Sequence, residues 1–228
     1  KKIKAFRFKK NIGAFPRTNF LIKHARGRYL AIMDSDDISH YDRVKTQVNF
    51  LKNNKNVIVV GSQVNIINEK SQIIGKKIVP KNSQDIYCQY GFVHPMVHPS
   101  CMINQNLVPK RVNLYRTKYK VNSDYYTFME LLQFGKFANL EETLLDYRIH
   151  TNNSSLKNLK KCFINTLGIR WEAVTKYNYK ISLFSAFLTI LEIPVILLLP
   201  TKLIDYLYPL ASGLEINRNE QGQKILTS

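Results

Sequence analysis

The stretch YLAIMDSDD, residues 29–37, decides the fold, because an apolar run ends there in three carboxylates. A short apolar run bounded by polar residues predicts a buried β-strand. Open α/β sheets bind ligands at the carboxyl edge of their strands, and hard cations such as Mg²⁺ or Mn²⁺ prefer carboxylate oxygens. Asp34 and Asp36 therefore predict a site for a divalent cation and a diphosphate.

Three other interpretations of these acids were weighed. An EF-hand loop beginning at Asp34 needs Gly at its sixth position and Glu at its twelfth, where the chain has Ser39 and Lys45. A phosphoaspartyl enzyme needs a small hydroxyl residue close behind its nucleophile, and Ile38 follows the acids instead. The third interpretation stays open: the acids cap a helix that begins near Ser39, since Asp is a favoured N-cap residue.

The segments around the acids alternate between strand and helix patterns. Strands are predicted at residues 3–8, 29–33 and 56–66, and helices at 11–23 and 44–54. Farther on, a loop at 94–100 leads into a short strand at 101–103, a helix begins at Ser123 and Asp124, and residues 140–148 return to the core. This alternation predicts an α/β protein with an open mixed sheet flanked by helices.

The carboxyl-terminal part has a different character. Residues 156–174 predict an amphipathic helix, and residues 212–228 a polar tail. Residues 181–201 are apolar except for Glu192 and are interrupted by Pro194 and Pro200. That length is about what a bilayer span requires, roughly 20 residues, but the acid and the prolines favour a re-entrant or surface-lying segment. A buried core helix remains the alternative.

Charge and cysteine content narrow the partners and the compartment. The chain has 34 Lys and Arg against 16 Asp and Glu, a net charge of +18, which indicates anionic partners: phosphates, nucleic acid or an acidic membrane surface. Cys88, Cys101 and Cys162 lack metal-ligand spacing and are expected to be reduced, buried thiols of a cytosolic protein. Lys1 is not an initiator Met, so we expect the chain to be a fragment of something longer.

An ordered set of motifs spans residues 8–155 and resembles the inverting family-2 glycosyltransferases with a GT-A fold, which is Rossmann-like. As an ordered set these motifs are far more specific than any one of them. They are Asn11-x-Gly13, Asn19, Ala25-x-Gly27-x-Tyr29, Asp34-Ser-Asp-Asp37, Arg43, Gln47, His98-Pro-Ser100, Asp124-Tyr125, Gly135-Lys136 and Tyr147-Arg148-x-His150.

The resemblance implies a nucleotide-sugar donor and a Mn²⁺ or Mg²⁺ cofactor. Asp34 would face the ribose side and also ligate the metal, Asp36 would hold a cation that bridges the two phosphates, and His150 would complete the metal shell. Asp37 would support the pair or cap the next helix. The remaining residues implied to bind the donor are Asn11, Gly13, Asn19 and Arg148. Alternatively, Arg148 forms an ordinary salt bridge with Glu141 or Glu142. The alternative for His150 is a structural hydrogen bond.

The resemblance also implies an acceptor side. Asp124 would be the base that removes the proton from the acceptor hydroxyl during an in-line displacement; its alternative is to cap its own helix. His98 and Ser100 would line the acceptor pocket, unless Pro99 merely fixes a turn there.

The chain also departs from the family pattern. Ser123 stands where the family usually has an acid, and Thr18 where it commonly has Arg. The opening strand and helix units that hold the nucleoside in relatives are missing, so the predicted fold is an amino-terminally truncated GT-A sheet with a helical, partly apolar carboxyl-terminal extension.

The resulting prediction is a metal-dependent inverting glycosyltransferase of cell-surface polysaccharide or glycoconjugate synthesis. It would move a sugar to a saccharide or lipid-linked acceptor, and be cytoplasmic, peripheral or anchored at the inner face of an anionic membrane. Its regions would be a partial transferase domain (1–155), a membrane-associating helical region (156–211) and a polar tail (212–228). No nucleic acid is expected as a partner. The alternatives are a basic, non-catalytic nucleic-acid binder that uses residues 109–126, and an inactive transferase remnant.

Overall fold

A mixed β-sheet organises the protein. The structure, a computed structural model, describes residues 3–110, 113–149, 159–198 and 213–216. Within these residues the sheet has seven strands: β1 (Tyr29–Ala31), β2 (Ile38–Ser39), β3 (Val57–Ile67), β4 (Ile73–Lys77), β5 (Met102–Asn104), β6 (Lys136–Arg148) and β7 (Leu214–Ile216). The helices are α1 (Ala14–His24), α2 (Arg43–Asn53), α3 (Ser83–Gln89), α4 (Ser123–Leu131), α5 (Leu159–Lys176) and α6 (Leu183–Leu198).

The long strands β3 and β6 form the centre of the sheet. They run parallel, while the order β1-β5-β3-β4-β7 is antiparallel throughout and β2 pairs antiparallel with β6. Nearly every residue of β3 is buried, because elements cover both faces of the strand, and its sequence is accordingly rich in Val and Ile. Where the β3–β6 register shifts, the Gln63 amide donates to the carbonyls of Val79 and Leu140 and accepts from the Val79 N–H. The bulge therefore leaves no buried backbone group unpaired at those positions.

Most of the predicted elements are confirmed, and the α/β class with them. One strand prediction is wrong: residues 3–8 have no regular structure, and Phe6 and Phe8 pack edge-on against Phe20 of α1. A strand needs a neighbour with which to form hydrogen bonds, and no described strand lies beside this segment. The polar-tail prediction also needs correction, because residues 214–216 pair with β4 as strand β7.

The helix-capping interpretation of the acids is wrong as well. Ile38 and Ser39 form strand β2 against β6 instead of starting a helix, and α2 begins only at Arg43. Asp34, Asp36 and Asp37 lie between two strands, at the sheet edge that the sequence predicted.

The cysteines are free thiols, as expected, although only Cys101 is fully buried and Cys88 and Cys162 are partly exposed. Burial raises the pKa of the Cys101 thiol to about 12, so it stays protonated and inert at neutral pH.

Helix α5 is fastened to α4 and the loop before it by one buried carboxylate, that of Glu172. It accepts hydrogen bonds from the hydroxyls of Tyr119 (2.6 Å) and Tyr126 (2.9 Å), from Nζ of Lys176 (2.9 Å) and from Nζ of Lys118. Burial alone would raise the pKa of Glu172, but these hydrogen bonds outweigh burial and hold the pKa below its ordinary value.

We expect Glu172→Gln to lower the free energy of unfolding by about 1–3 kcal/mol, since the amide leaves buried donors without an acceptor. Because the folded pKa lies below the unfolded one, the advantage of the wild type is present above about pH 4.3 and shrinks as the pH falls through the folded value. Urea unfolding of both proteins across this pH range measures the difference. Glu141→Gln, at an exposed carboxylate paired with Lys81, is the control and should leave the urea midpoint unchanged.

Candidate active site

The acidic residues lie in the turn between β1 and β2, at one edge of the sheet. Asp37 Oδ1 accepts the backbone N–H of Arg148 at 2.9 Å, while Asp37 Oδ2 is buried without a hydrogen-bond partner. Burial and the nearby carboxylates of Asp34 and Asp36 raise the pKa of Asp37 to about 7, against the lowering effect of that N–H. A buried carboxylate oxygen without a donor is costly, so this turn is built to receive positive charge.

Arg148 ties the acidic turn to the turn that follows β3. Its guanidinium donates to the carbonyls of Asp36 (2.7 Å) and Asn68 (2.5 Å) and to the Ser71 hydroxyl (2.9 Å). Glu141, one of its two alternative ion-pair partners, pairs with Lys81 instead. The contact between Arg148 and a donor phosphate stays a prediction; the structure shows it as a residue that shapes the turn.

A second arginine, Arg43, lies beneath the turn. It is almost fully buried and donates to the carbonyls of Ile32 (2.6 Å) and Cys101 (3.4 Å). Ile32 directly follows β1, and Cys101 directly precedes β5. One helical turn later, Gln47 donates to the carbonyls of Ser100 and Val60. The sequence motif contained both residues but gave them no role; two large polar residues at i and i+4 facing the sheet were the available signal.

Asp124, the predicted base, lies in the first turn of α4, with Oδ2 3.8 Å from Nε2 of His94. His94 Nδ1 accepts the Met96 N–H, so its proton is on Nε2, which faces Asp124. Burial lowers the pKa of His94 to about 4, and the ring is therefore neutral at pH 7. The alternative that Asp124 caps its own helix stays open, and His94 is a neighbour of Asp124 that sequence reasoning did not single out, although it lies in the same Pro-containing loop as His98.

His98 is held from behind by a tyrosine. Its Nε2 and the Tyr115 hydroxyl share a hydrogen bond of 2.8 Å. The Asn19 amide in turn pairs with both the N–H and the carbonyl of Tyr115, each at 2.8 Å. Asn19 thus positions His98 through Tyr115, and its predicted contact with the donor remains untested.

Ser100 does not line a pocket. It is fully buried, its hydroxyl donates to the Val97 carbonyl at 2.8 Å and accepts the Ser62 N–H at 3.3 Å, and Pro99 precedes it in a 3₁₀ turn. The predicted acceptor contact of Ser100 is corrected to the alternative, a turn fixed by Pro99. The sequence could not distinguish the two, because both use the same residues.

The acidic turn and the predicted base influence each other electrostatically. Burial raises the pKa of Asp34; His98 lowers it, and the carboxylates of Asp36 and Asp124 raise it further. Asp34 therefore lies close enough to His98 and Asp124 for their charges to act on it. Residues far apart in the chain form one electrostatic cluster.

Sequence comparison assigns the chain to a known protein family. The profile of Glycosyl transferase family 2 matches residues 1–133, more than half of the chain. The chain belongs to glycosyl transferase family 2. The open mixed sheet flanked by helices agrees with the GT-A fold expected of this family.

Three relatives of this glycosyl transferase family 2 chain illustrate the match. An uncharacterized glycosyltransferase of Methanocaldococcus jannaschii is 30% identical over 164 residues, 71% of this chain and 56% of that protein. The UDP-Gal:alpha-D-GlcNAc-diphosphoundecaprenol beta-1,3-galactosyltransferase of Escherichia coli is 26% identical over 209 residues, 90% of this chain and 74% of that enzyme. A mannosyltransferase structure from Pyrobaculum calidifontis, in complex with GDP-Man and Mn²⁺, has 13% identity and a TM-score of 0.49, covering 90% of this chain and 66% of that one. The chain spans little more than half the length of the first of these relatives.

In the described ranges no group of three or more His, Cys, Asp or Glu side chains is arranged to hold a metal ion, so a cation at the acidic turn would need ligands from the donor or from water. Asp34 and Asp36 carry hard carboxylate oxygens, and a bound cation would offset the cost of the buried, unpartnered Oδ2 of Asp37. Two carboxylates suit a cation whose other ligands are phosphate oxygens and water, as Mg²⁺ prefers. His150, the third predicted ligand, lies outside the described residues.

The first residues of the motif set form a tight turn. Asn11 Oδ1 accepts the Gly13 N–H at 3.0 Å, and Gly13, at φ 88°, starts α1 in a conformation that favours glycine. Their contact with the donor stays a prediction.

The nucleic-acid alternative loses its basis in residues 109–126. Tyr115, Tyr125 and Tyr126 are buried and cannot stack on bases, while Lys118 pairs with Glu172 and Arg116 with Glu130.

Proposed function

We propose that this chain carries out the metal-dependent, inverting transfer of a sugar from a nucleoside-diphosphate sugar to a hydroxyl group of a saccharide or lipid-linked acceptor. The observation that carries the proposal is the acidic turn, where Asp37 has a buried Oδ2 without a hydrogen-bond partner and the charges of His98 and Asp124 act on Asp34. The similar E. coli enzyme, by its name, uses UDP-Gal and a diphosphoundecaprenol-linked GlcNAc, which supports a lipid-linked acceptor.

Asp36 and Asp34 would hold the cation against the two phosphates of the donor. A divalent cation there would act as a Lewis acid and stabilise the charge that develops on the departing nucleoside diphosphate. Arg43 and Arg148 keep the turn in place through its backbone carbonyls, so these carboxylates are positioned before the donor arrives.

Asp124 would act as the general base. As the acceptor oxygen bonds to the anomeric carbon, the bond from that carbon to the diphosphate oxygen breaks, and the acceptor proton passes to the Asp124 carboxylate. Attack opposite the leaving group inverts the anomeric configuration. The neutral ring of His94, with Nε2 3.8 Å from Oδ2 of Asp124, lies beside the carboxylate without pairing with its charge.

We propose the following organisation for these parts. Residues 1–155 form the transferase region, and residues 156–211 form a helical region that meets the cytoplasmic face of a membrane. In the remaining segment, residues 212–228, strand β7 pairs with β4 at residues 214–216. The protein would work as a peripheral or anchored enzyme at the source of its lipid-linked acceptor.

The test is a transfer assay with UDP- and GDP-sugars, a prenyl-diphosphate-linked GlcNAc acceptor, and either Mn²⁺ or EDTA. We expect nucleoside diphosphate release that needs both acceptor and cation, with a product of inverted anomeric configuration by NMR. A product that keeps the anomeric configuration, or full transfer in EDTA, would contradict the mechanism.

A further inference from the structure

Helix α6 turns its apolar face outwards and its polar face towards the rest of the protein. Such helices normally turn their apolar stripe to the core and their polar face to water. In α6, large apolar side chains between 57% and 92% exposed point outwards: Leu183, Phe184, Phe187, Ile190, Leu197 and Leu198. A buried core helix, the alternative considered for residues 181–201, is therefore wrong.

The polar side of α6 is the side that faces the protein. The Ser185 hydroxyl donates to the Cys88 carbonyl and the Thr189 hydroxyl to the Gly91 carbonyl, both at 3.0 Å. The backbone approaches closely here, because a Cβ atom at Gly91 would lie 2.6 Å from Cβ of Ser185. The orientation of α6 is thus fixed by hydrogen bonds and close packing together.

A buried arginine completes the attachment. Arg170 of α5 donates to Glu192 (2.9 Å) and Thr189 (3.1 Å) of α6, and its guanidinium also contacts the Tyr125 hydroxyl and the Phe92 carbonyl. Ser185, Thr189 and Glu192 follow at intervals of four and three residues and so form one stripe. Rotating α6 to bury its apolar face would break all of these contacts.

We propose that the outward face of α6 is a docking surface for an anionic lipid bilayer, in which the helix lies along the interface. A helix with one strongly apolar face, rich in Phe, Leu and Ile, binds the boundary between head groups and acyl chains in this way. Its 16 residues extend about 24 Å, less than the roughly 30 Å of a hydrocarbon core. In the part of the chain that the structure describes, no helix has the length and apolar character to cross a membrane.

The positive charge of the chain favours a bilayer over another apolar partner. The chain carries +18, and exposed Lys160, Lys161 and Lys180 lie on α5 and directly before α6, where they complement anionic head groups. Trp171 of α5 is 71% exposed, and Trp is a side chain suited to the membrane interface. A second copy of this chain would bring like charges together at the same surface.

The proposal is tested by flotation of the whole chain with phosphatidylcholine vesicles, with and without phosphatidylglycerol. Phe187→Asp combined with Ile190→Asp should lower binding to the anionic vesicles about tenfold or more, since two apolar side chains no longer enter the lipid. Tyr41→Asp combined with Val44→Asp, at two exposed apolar positions around the start of α2, is the matched control and should bind like the wild type.

Several results would overturn the proposal. They are equal binding of the α6 variant and the wild type, no binding by the wild type, and a dimer, seen by light scattering, that the α6 substitutions dissociate. Circular dichroism checks that both variants are folded. Because flotation needs no nucleotide sugar, its outcome is independent of whether the proposed transfer reaction is correct.

Discussion

Replacing Asp124 with Asn is expected to lower the rate of sugar transfer by about 10²- to 10⁴-fold, the usual contribution of a general base. The amide is nearly isosteric but cannot accept the proton of the acceptor hydroxyl. Asp124 lies in the first turn of α4, where loss of its charge costs about 0.3–1 kcal/mol, so the helix should still form. Turnover is measured as nucleoside diphosphate release in the presence of acceptor.

For this variant, the rate of sugar transfer should be compared with the affinity for the nucleotide sugar. Affinity for the nucleotide sugar should be unchanged, since Asp124 lies on the acceptor side. Asp42→Asn, at an exposed N-cap carboxylate that makes no capping hydrogen bond, should keep the wild-type rate. Near-normal turnover by Asp124→Asn would show that another group accepts the proton.

Asp36→Asn is expected to reduce transfer at least about 100-fold and to remove its dependence on Mn²⁺, because an amide is a neutral and weaker ligand for a hard cation. Here the loss should appear in donor binding as well as in turnover. Asp36→Asn should therefore lose binding of the cation and of the donor. Asp124→Asn should lose only the proton transfer.

Glu69→Gln is the matched control for the loss of charge. Glu69 is exposed in the turn after β3, and its backbone carbonyl accepts a hydrogen bond from the Arg148 guanidinium. If Glu69→Gln weakened Mn²⁺-dependent donor binding as much as Asp36→Asn, general electrostatic attraction would explain the effect better than ligation.

The features found from sequence are those that a local pattern determines. An apolar run followed by clustered acids specifies a strand and a turn at a sheet edge, and the segment from Ser123 to Gly135 contains the signals that start and stop α4. The motif set added Asp124, whose role no local pattern reveals.

The features that were missed depend on tertiary contacts. The alternation in residues 3–8 suits a strand, but only a neighbouring strand would make it one. Ser100 and His94 share one loop, yet Ser100 faces the core and His94 faces Asp124, which the sequence cannot show. The apolar run of α6 indicates that something apolar covers it, and only the hydrogen bonds of Ser185 and Thr189 show that its apolar face points away from the protein.

The sequence also could not show that the acidic turn buries a carboxylate oxygen without a hydrogen-bond donor. A basic chain keeps three carboxylates in a single turn, and one of their oxygens is buried without a donor. Arg43 and Arg148 hold the backbone around these carboxylates through carbonyl groups. Our central proposal is that a bound cation balances the charge of this turn.

Isothermal titration calorimetry on the folded wild-type chain tests that central claim most directly. We predict that Mn²⁺ binds, and that a UDP- or GDP-sugar binds far more tightly with Mn²⁺ present than in EDTA. No heat from Mn²⁺ with either nucleotide sugar, or equally tight sugar-nucleotide binding in EDTA, would contradict a cation-binding role for Asp34 and Asp36.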